Sequence, residues 1–337
     1  MRHQQFQDSP CHGLAEGTAT DGLVMLQETD EFGILFSEWV SFAGCSAWTL
    51  VWMLMHRVLP PKLDCERTDC PTKSMHTFYV RKLNRMFIYC LAASAAGLSI
   101  FSSCFFRPQP TEAMLMSFGP VQQFFFWMAV GHWVTALWED WCTRHFLGQG
   151  LTVESGGGLA LFPLNLCCTS AQVMYATYTA HHLVTIFAYI YALWTRELGG
   201  VMVQGLLFEL PVVFMLRREL GHAQKVPPKW LQNPRRARSH WISTYLAFLV
   251  GRGPAECLWI VSMLDTPFGH PLLEESLSSA SIVVYHTLAF FFTSLNVRIL
   301  GLLFCWHWQD VSRATEHQKE QEQSQAADRP PKEVSKE

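Results

Sequence analysis

Long apolar stretches alternate with shorter polar ones along the chain, as in proteins that cross a membrane several times. A helix needs about 20 mostly apolar residues to span the roughly 30 Å hydrocarbon core of a bilayer. The stretch 159–195 contains polar positions and could be one broken helix or a re-entrant piece that precedes a helix near 174–195, and we interpret it as a single crossing with an interfacial lead-in. The predicted spans are 34–56, 86–106, 121–138, 159–195, 200–216, 241–263 and 280–306. The predicted fold class is therefore an all-α polytopic membrane protein with about seven transmembrane helices.

The distribution of Lys and Arg supports seven spans over eight. The segments 57–85 and 217–240 hold seven basic residues each, whereas 107–120 and 195–199 hold one each and 264–279 holds none. With seven spans, every rich segment falls on one side of the membrane. Because cytosolic loops carry an excess of Lys and Arg, we expect a lumenal amino terminus and a cytosolic carboxyl terminus.

Polar segments flank the predicted transmembrane region 34–308. Residues 1–33 are polar, and 309–337 contain too few apolar residues to offset the entropy of ordering, so we expect a disordered tail. Half of the chain is apolar and 16% is charged, with a net charge of −3. Such a charge predicts no bulk affinity for nucleic acid.

Two adjacent histidines and a glutamate stand out within the predicted spans. An ionisable group at membrane depth costs roughly 2.5–3.5 kcal/mol on insertion scales, so His181, His182 and Glu209 are candidates for function. Neighbours on a helix point about 100° apart, so one histidine at most faces a given cavity directly. Thr185 shares the face of His181 and could orient that imidazole. A short link before Gly200 makes the fourth and fifth spans a hairpin, which does not by itself bring Glu209 into contact with the histidines.

Imidazole allows several roles at such a site. It can act as a general base, as a nucleophile that forms an acyl-imidazole, or as a metal ligand. The metal role is the weakest, because adjacent histidines do not easily bind one ion, and we expect no metal or resident cofactor. The histidines could also serve only to hydrogen-bond neighbouring helices.

Other charged residues form a second group of candidates. Glu139 and Asp140 close the third predicted span, where charges often mark the interface, and Asp140 could support the histidine pocket. Arg252 and Glu256 lie four residues apart in the sixth span, and we expect them to neutralise each other as a structural pair.

The segment from His181 to Arg217 resembles the TLC-domain family, named for translocating-chain-associated proteins, ceramide synthases and a neuronal-lipofuscinosis protein. Ceramide synthases share the opening His181, His182 and Thr185. Where they have a His-Asp pair and a second Asp, this chain has Phe208, Glu209 and Val212. The segment 209–217, which reads ELPVVFMLR, and the later Arg252 are similar to the non-synthase branch of the family.

The resemblance implies a domain at about 80–308 in which six helices form a barrel around an acyl-sized cavity, with the histidines inside and an endoplasmic-reticulum address. We therefore expect a membrane protein that binds lipid acyl chains and acts in membrane-lipid homeostasis. One alternative is a lipid acyltransferase related to ceramide synthases, with acyl-CoA as co-substrate and a histidine as base or acyl carrier. Another is an endoplasmic-reticulum cargo receptor or chaperone-like protein. The expected partners are membrane lipids, with other membrane proteins or a second copy of the chain as further options.

Overall fold

The structure, a computed structural model, describes residues 38–59, 73–105, 118–150, 171–222, 228–264 and 277–327. Helices account for all the regular structure in these ranges, and no strand occurs among them. The all-α prediction is therefore confirmed for the described part of the chain. The helices are α1 (Glu38–Val58), α2 (Lys73–Phe105), α3 (Pro120–Gly150), α4 (Ala171–Thr195), α5 (Gly199–Leu207), α6 (Leu210–His222), α7 (Lys229–Gln232), α8 (Pro234–Leu264) and α9 (Ser279–Ala327).

Three helical segments are long and apolar enough to cross a membrane, which supports the prediction of a membrane protein. They are Thr77–Ser103 in α2, Gly199–His222 across α5 and α6, and Ser279–Gln325 in α9. The other predicted spans also coincide with helices where they are described, and 34–37 and 159–170 lie outside the described residues. The count of seven spans stays a prediction.

One face of α4 shows how the bundle meets its surroundings. Leu183, Phe187, Ile190 and Trp194 are all exposed, with Trp194 at 73%, and their spacing places them on a single stripe of the helix. The opposite stripe, which includes His182, is buried. A continuous exposed apolar stripe is costly in water and suits contact with lipid chains.

The helices follow one another around a common interior. Helix α4 packs on α3, α3 on α2, α2 on both α5 and α6, α6 on α8, and α8 on α9. Between α9 and α4, the Tyr191 and Ser281 hydroxyls lie 2.8 Å apart, and the Ser278 hydroxyl donates to the Glu197 carboxylate at 2.9 Å. Helix α1 lies outside this ring and packs against α3. The interior enclosed in this way holds the candidate site.

The fifth predicted span, 200–216, is broken in the structure. Helix α5 ends at Leu207, and α6 begins at Leu210. Pro211 explains the interruption, because it has no N–H to donate to the Leu207 carbonyl one turn earlier. Helix α8 passes close to the break at Gly251, where a Cβ atom would lie 2.6 Å from the Leu207 carbonyl oxygen. The glycine is therefore required for this close approach.

The last helix differs from the expected disordered tail. Helix α9 continues as far as Ala327, and the expectation of disorder fails over 309–327. The segment is rich in Gln, Glu and Ala, which propagate a helix well once the preceding span has nucleated it. A side-chain hydrogen bond from Gln318 to Glu322 at 2.8 Å adds support between successive turns.

Candidate functional site

A cavity of about 230 Å³ lies inside the ring of helices. Its walls come mainly from α2, α4, α5, α6, α8 and α9, and most of the lining side chains are aliphatic or aromatic. The candidates named from the sequence, apart from Glu139, all line this cavity. These residues are Asp140, His181, His182, Thr185, Glu209, Arg252 and Glu256. The structure thus brings together residues from three helices and the α5–α6 break, whatever role each one plays.

His182 meets a carboxylate that the sequence placed only at the end of a span. Its Nδ1 lies 2.8 Å from an Oδ of Asp140, and both side chains are almost completely buried. Lys82 on α2 contacts the other carboxylate oxygen. A carboxylate at Nδ1 favours the tautomer with its proton on Nδ1 and the lone pair on Nε2. The close contact therefore favours one ring orientation and one tautomer of this histidine.

A second set of buried charges lies behind that pair. Arg85 donates to Glu139 through two bonds of 2.7 and 2.5 Å, and its remaining nitrogen lies 2.7 Å from Nδ1 of His132. His56 on α1 approaches the same Glu139 at 2.8 Å. The Arg85 and Glu139 side chains have no solvent exposure. Glu139 is therefore part of the buried core of the bundle, and its position at the membrane interface stays a prediction.

His181 lies in an aromatic environment. Its ring centroid is 5.2 Å from that of Trp133 and 5.9 Å from that of Phe292. The Thr185 hydroxyl lies 3.4 Å from Nδ1 of His181, but its shorter bond, of 2.8 Å, is donated to the His181 carbonyl. The predicted orienting role of Thr185 is thus weaker than its contact with the backbone. The two histidine rings are 5.5 Å apart, and both line the cavity.

Glu209 sits at the helix break and accepts a hydrogen bond from the Cys90 thiol at 3.2 Å. It occupies the turn before α6, where the positive end of the helix dipole favours a carboxylate. This position follows from Pro211, which interrupts the predicted fifth span. The break therefore places an acidic side chain on the cavity wall.

Arg252 and Glu256 are connected through a third residue. One Arg252 nitrogen donates to the Phe208 carbonyl at 3.1 Å, and the other contacts the amide oxygen of Asn296. The Asn296 amide then donates to Glu256 at 2.6 Å, and the Thr293 hydroxyl also contacts this carboxylate. The expected pair is thus bridged by the amide of α9, which ties α8 to α9.

The sequence analysis missed three buried basic residues for an identifiable reason. Lys82, Arg85 and Arg218 lie in basic segments that the positive-inside rule assigns to cytosolic loops. The structure places all three in helices and buries them against carboxylates. Their spacing was a usable signal, since Lys82 and Arg85 lie three residues apart and share a helical face.

Neither a search for a metal site nor comparison with known proteins adds to the functional assignment. Within the described ranges, no group of three or more His, Cys, Asp or Glu side chains is placed to hold a metal ion. No protein-family model, curated protein or solved structure matched the chain. The resemblance to the TLC-domain family therefore stays a prediction that rests on the motif from His181 to Arg217.

Proposed function

We propose that the protein is a polytopic membrane protein that binds a lipid acyl chain in the interior cavity and acts in membrane-lipid homeostasis. In this proposal the second to seventh spans form a six-helix barrel of the TLC type. The observation that carries the proposal is the interior cavity whose mostly apolar wall includes His181, His182 and Glu209.

The mostly apolar lining of the cavity suits a hydrocarbon chain. Small-molecule sites typically measure about 300–1,000 Å³ and are mostly apolar with a few polar groups that fix orientation. The cavity, at about 230 Å³, lies just below that range. Burying an acyl chain contributes about 0.8 kcal/mol for each methylene removed from water. The polar residues on the wall would then position the lipid's head.

A cavity-filling substitution tests whether the interior binds lipid. Ala289 on α9 lines the cavity, and Ala280 on the same helix is exposed. We expect the purified wild-type protein and Ala280→Trp to retain lipid through detergent exchange, as measured by mass spectrometry of extracted lipids. Ala289→Trp should lose most of that lipid because the indole occupies the space of the chain. Size-exclusion chromatography establishes that each variant is folded.

The same experiment also has outcomes that would contradict the proposal. Equal lipid retention by a folded Ala289→Trp variant and by wild type would contradict binding in the cavity. Wild-type protein without any retained lipid would contradict the proposal as a whole.

Acyl transfer is a second candidate function, and the contact between His182 and Asp140 favours it. A carboxylate on Nδ1 leaves the Nε2 lone pair as the base, the arrangement that many acyl-transfer enzymes use. In such a reaction His182 would accept a proton from a lipid hydroxyl or amine as that group attacks the acyl thioester. The CoA thiolate would leave and take up the proton.

Labelled acyl-CoA distinguishes catalysis from binding. Catalysis requires turnover with a set of lipid amines and alcohols, strongly reduced by His182→Ala and less by Asp140→Asn. Lipid retention without turnover would leave binding as the function.

The endoplasmic-reticulum address and the lumenal amino terminus belong to the same proposal, and protease protection in microsomes, with tags at each end, tests them.

A further inference from the structure

The charged side chains on the cavity wall are matched to one another within the protein. They comprise three cations and four anions, namely Lys82, Arg252, Arg298, Asp140, Glu209, Glu219 and Glu256, and Arg218 behind the wall pairs with Glu219, which makes four charges of each sign. From this balance we infer that the lipid's head is uncharged where it sits in the cavity, as in a long-chain alcohol or a monoacylglycerol. The inference rests on the proposed function and specifies its ligand class.

The end of the cavity near His182 has no unbalanced charge. Lys82 and Asp140 form an ion pair, and each side chain is about 5% exposed or less. Nδ1 of His182 lies 2.8 Å from the second carboxylate oxygen of Asp140. An anionic head placed here would compete with Asp140 for Lys82, and a cationic head would compete with Lys82 for Asp140. Either exchange leaves one original charge buried without its partner, which is strongly unfavourable.

In the middle of the cavity, neutral groups contact or link the charged side chains. The Cys90 thiol donates to Glu209, and the Asn296 amide joins Arg252 to Glu256. These thiol, amide and hydroxyl groups can also exchange hydrogen bonds with a ligand hydroxyl or ester without moving a charge. The middle of the wall therefore offers neutral hydrogen-bonding groups beside its charged side chains.

The remaining two charged lining residues follow the same pattern. Glu219 accepts from Arg218 at 2.9 Å, and Arg218 lies outside the cavity lining. Arg298 also interacts with neighbouring groups of the protein. Because every lining charge is already engaged, an additional buried charge on the ligand would have no dedicated counter-ion.

Three ligands with the same chain and different heads test this inference. Full-length protein stripped of lipid would be incubated at neutral pH with monopalmitoylglycerol, palmitate or hexadecylamine. Bound ligand would be counted by mass spectrometry after detergent exchange. We expect monopalmitoylglycerol to bind at least about tenfold more tightly than either charged ligand, a difference of about 1.4 kcal/mol.

The outcomes separate this inference from the proposed function. Binding of palmitate or hexadecylamine as tightly as the neutral ligand would overturn the uncharged-head assignment while leaving acyl-chain binding in place. Failure of all three ligands to bind would overturn both.

A single substitution sharpens the result. Glu256→Gln removes one negative charge from the wall and keeps the side-chain shape, so palmitate binding should improve several-fold relative to monopalmitoylglycerol. Glu316→Gln is the matched control, because Glu316 is exposed on the extension of α9. An unchanged preference in folded Glu256→Gln protein would contradict control by wall charge. If that variant does not fold, the wild-type ligand panel decides the question.

Discussion

Two buried polar regions border the same cavity, and they balance their charges differently. The first, the ion-pair cluster, joins opposite charges directly and comprises His56, Lys82, Arg85, Glu139, Asp140 and His182. The second, the bridged cluster, links its charges through neutral groups and comprises Cys90, Glu209, Arg252, Glu256 and Asn296. The first ties α1, α2, α3 and α4 together, and the second surrounds the helix break.

The difference suits the ion-pair cluster to a structural role and the bridged cluster to ligand binding. Removing one member of a buried ion pair leaves an uncompensated charge, at a typical cost of about 3–5 kcal/mol. A neutral hydrogen bond contributes only about 0.5–1.5 kcal/mol and can be exchanged for one to a ligand. We therefore expect the ion-pair cluster to hold the bundle and the bridged cluster to accommodate ligand.

The largest effect is expected from Arg85→Leu, which leaves Glu139 buried without its main partner. We expect a loss of about 3–5 kcal/mol in the free energy of unfolding, measured by denaturant titration of micelle-solubilised protein. Arg57→Leu is the matched control, because Arg57 is exposed on α1 and should change stability by less than about 0.5 kcal/mol. Equal losses in the two variants would show that the Arg85 pair does not hold the bundle.

A double substitution in the same cluster separates packing from charge. Replacing Arg85 by Met together with Glu139 by Leu removes both charges, so the double variant should be more stable than Arg85→Leu alone. A double variant that is less stable than either single one would contradict the assignment to an uncompensated charge.

Close packing at the helix break gives the next largest effect. Gly251→Ala would place a Cβ 2.6 Å from the Leu207 carbonyl oxygen and should cost about 1–3 kcal/mol. In Gly253→Ala the nearest atom is a Leu249 methyl at 3.5 Å, so the better helix propensity of Ala should leave stability unchanged or raised by up to about 1 kcal/mol. Thermal unfolding of both variants measures the contrast, and a neutral Gly251→Ala would show that α8 is not packed tightly against the break.

The same substitution made in each region compares them directly. Glu256→Gln keeps an acceptor for Asn296 and should cost about 1 kcal/mol. Glu139→Gln removes the charge that compensates Arg85 and should cost about 3–5 kcal/mol. Similar values for the two variants, measured in one denaturant series, would remove the distinction between the clusters.

The smallest effect is expected from Thr185→Val. The Thr185 hydroxyl bonds mainly to the carbonyl of its own helix, so its loss should change stability by less than about 0.5 kcal/mol and leave lipid retention unaltered. A large fall in lipid retention would instead support the orienting role that the sequence suggested for this residue.

Sequence reasoning located the elements and the cavity residues for a simple reason. The bilayer demands long apolar helices, and a polar residue inside such a stretch, as with His181 or Glu209, is conspicuous. The partners were harder to find because Lys82 and Arg85 lie at the edge of the apolar stretch, where the same charges also determine topology. The extension of α9 was missed because low hydrophobicity indicates disorder only when no neighbouring helix propagates into the segment.

Photo-crosslinking with a fatty acyl chain that carries a diazirine near its end tests the central claim most directly. We expect saturable adducts on Met202 and Leu288, which line the cavity and are 5% exposed, and displacement of those adducts by an unlabelled chain of the same length. Adducts confined to the outward residues Leu183 and Trp194, and unaffected by the competing chain, would contradict acyl-chain binding inside the bundle.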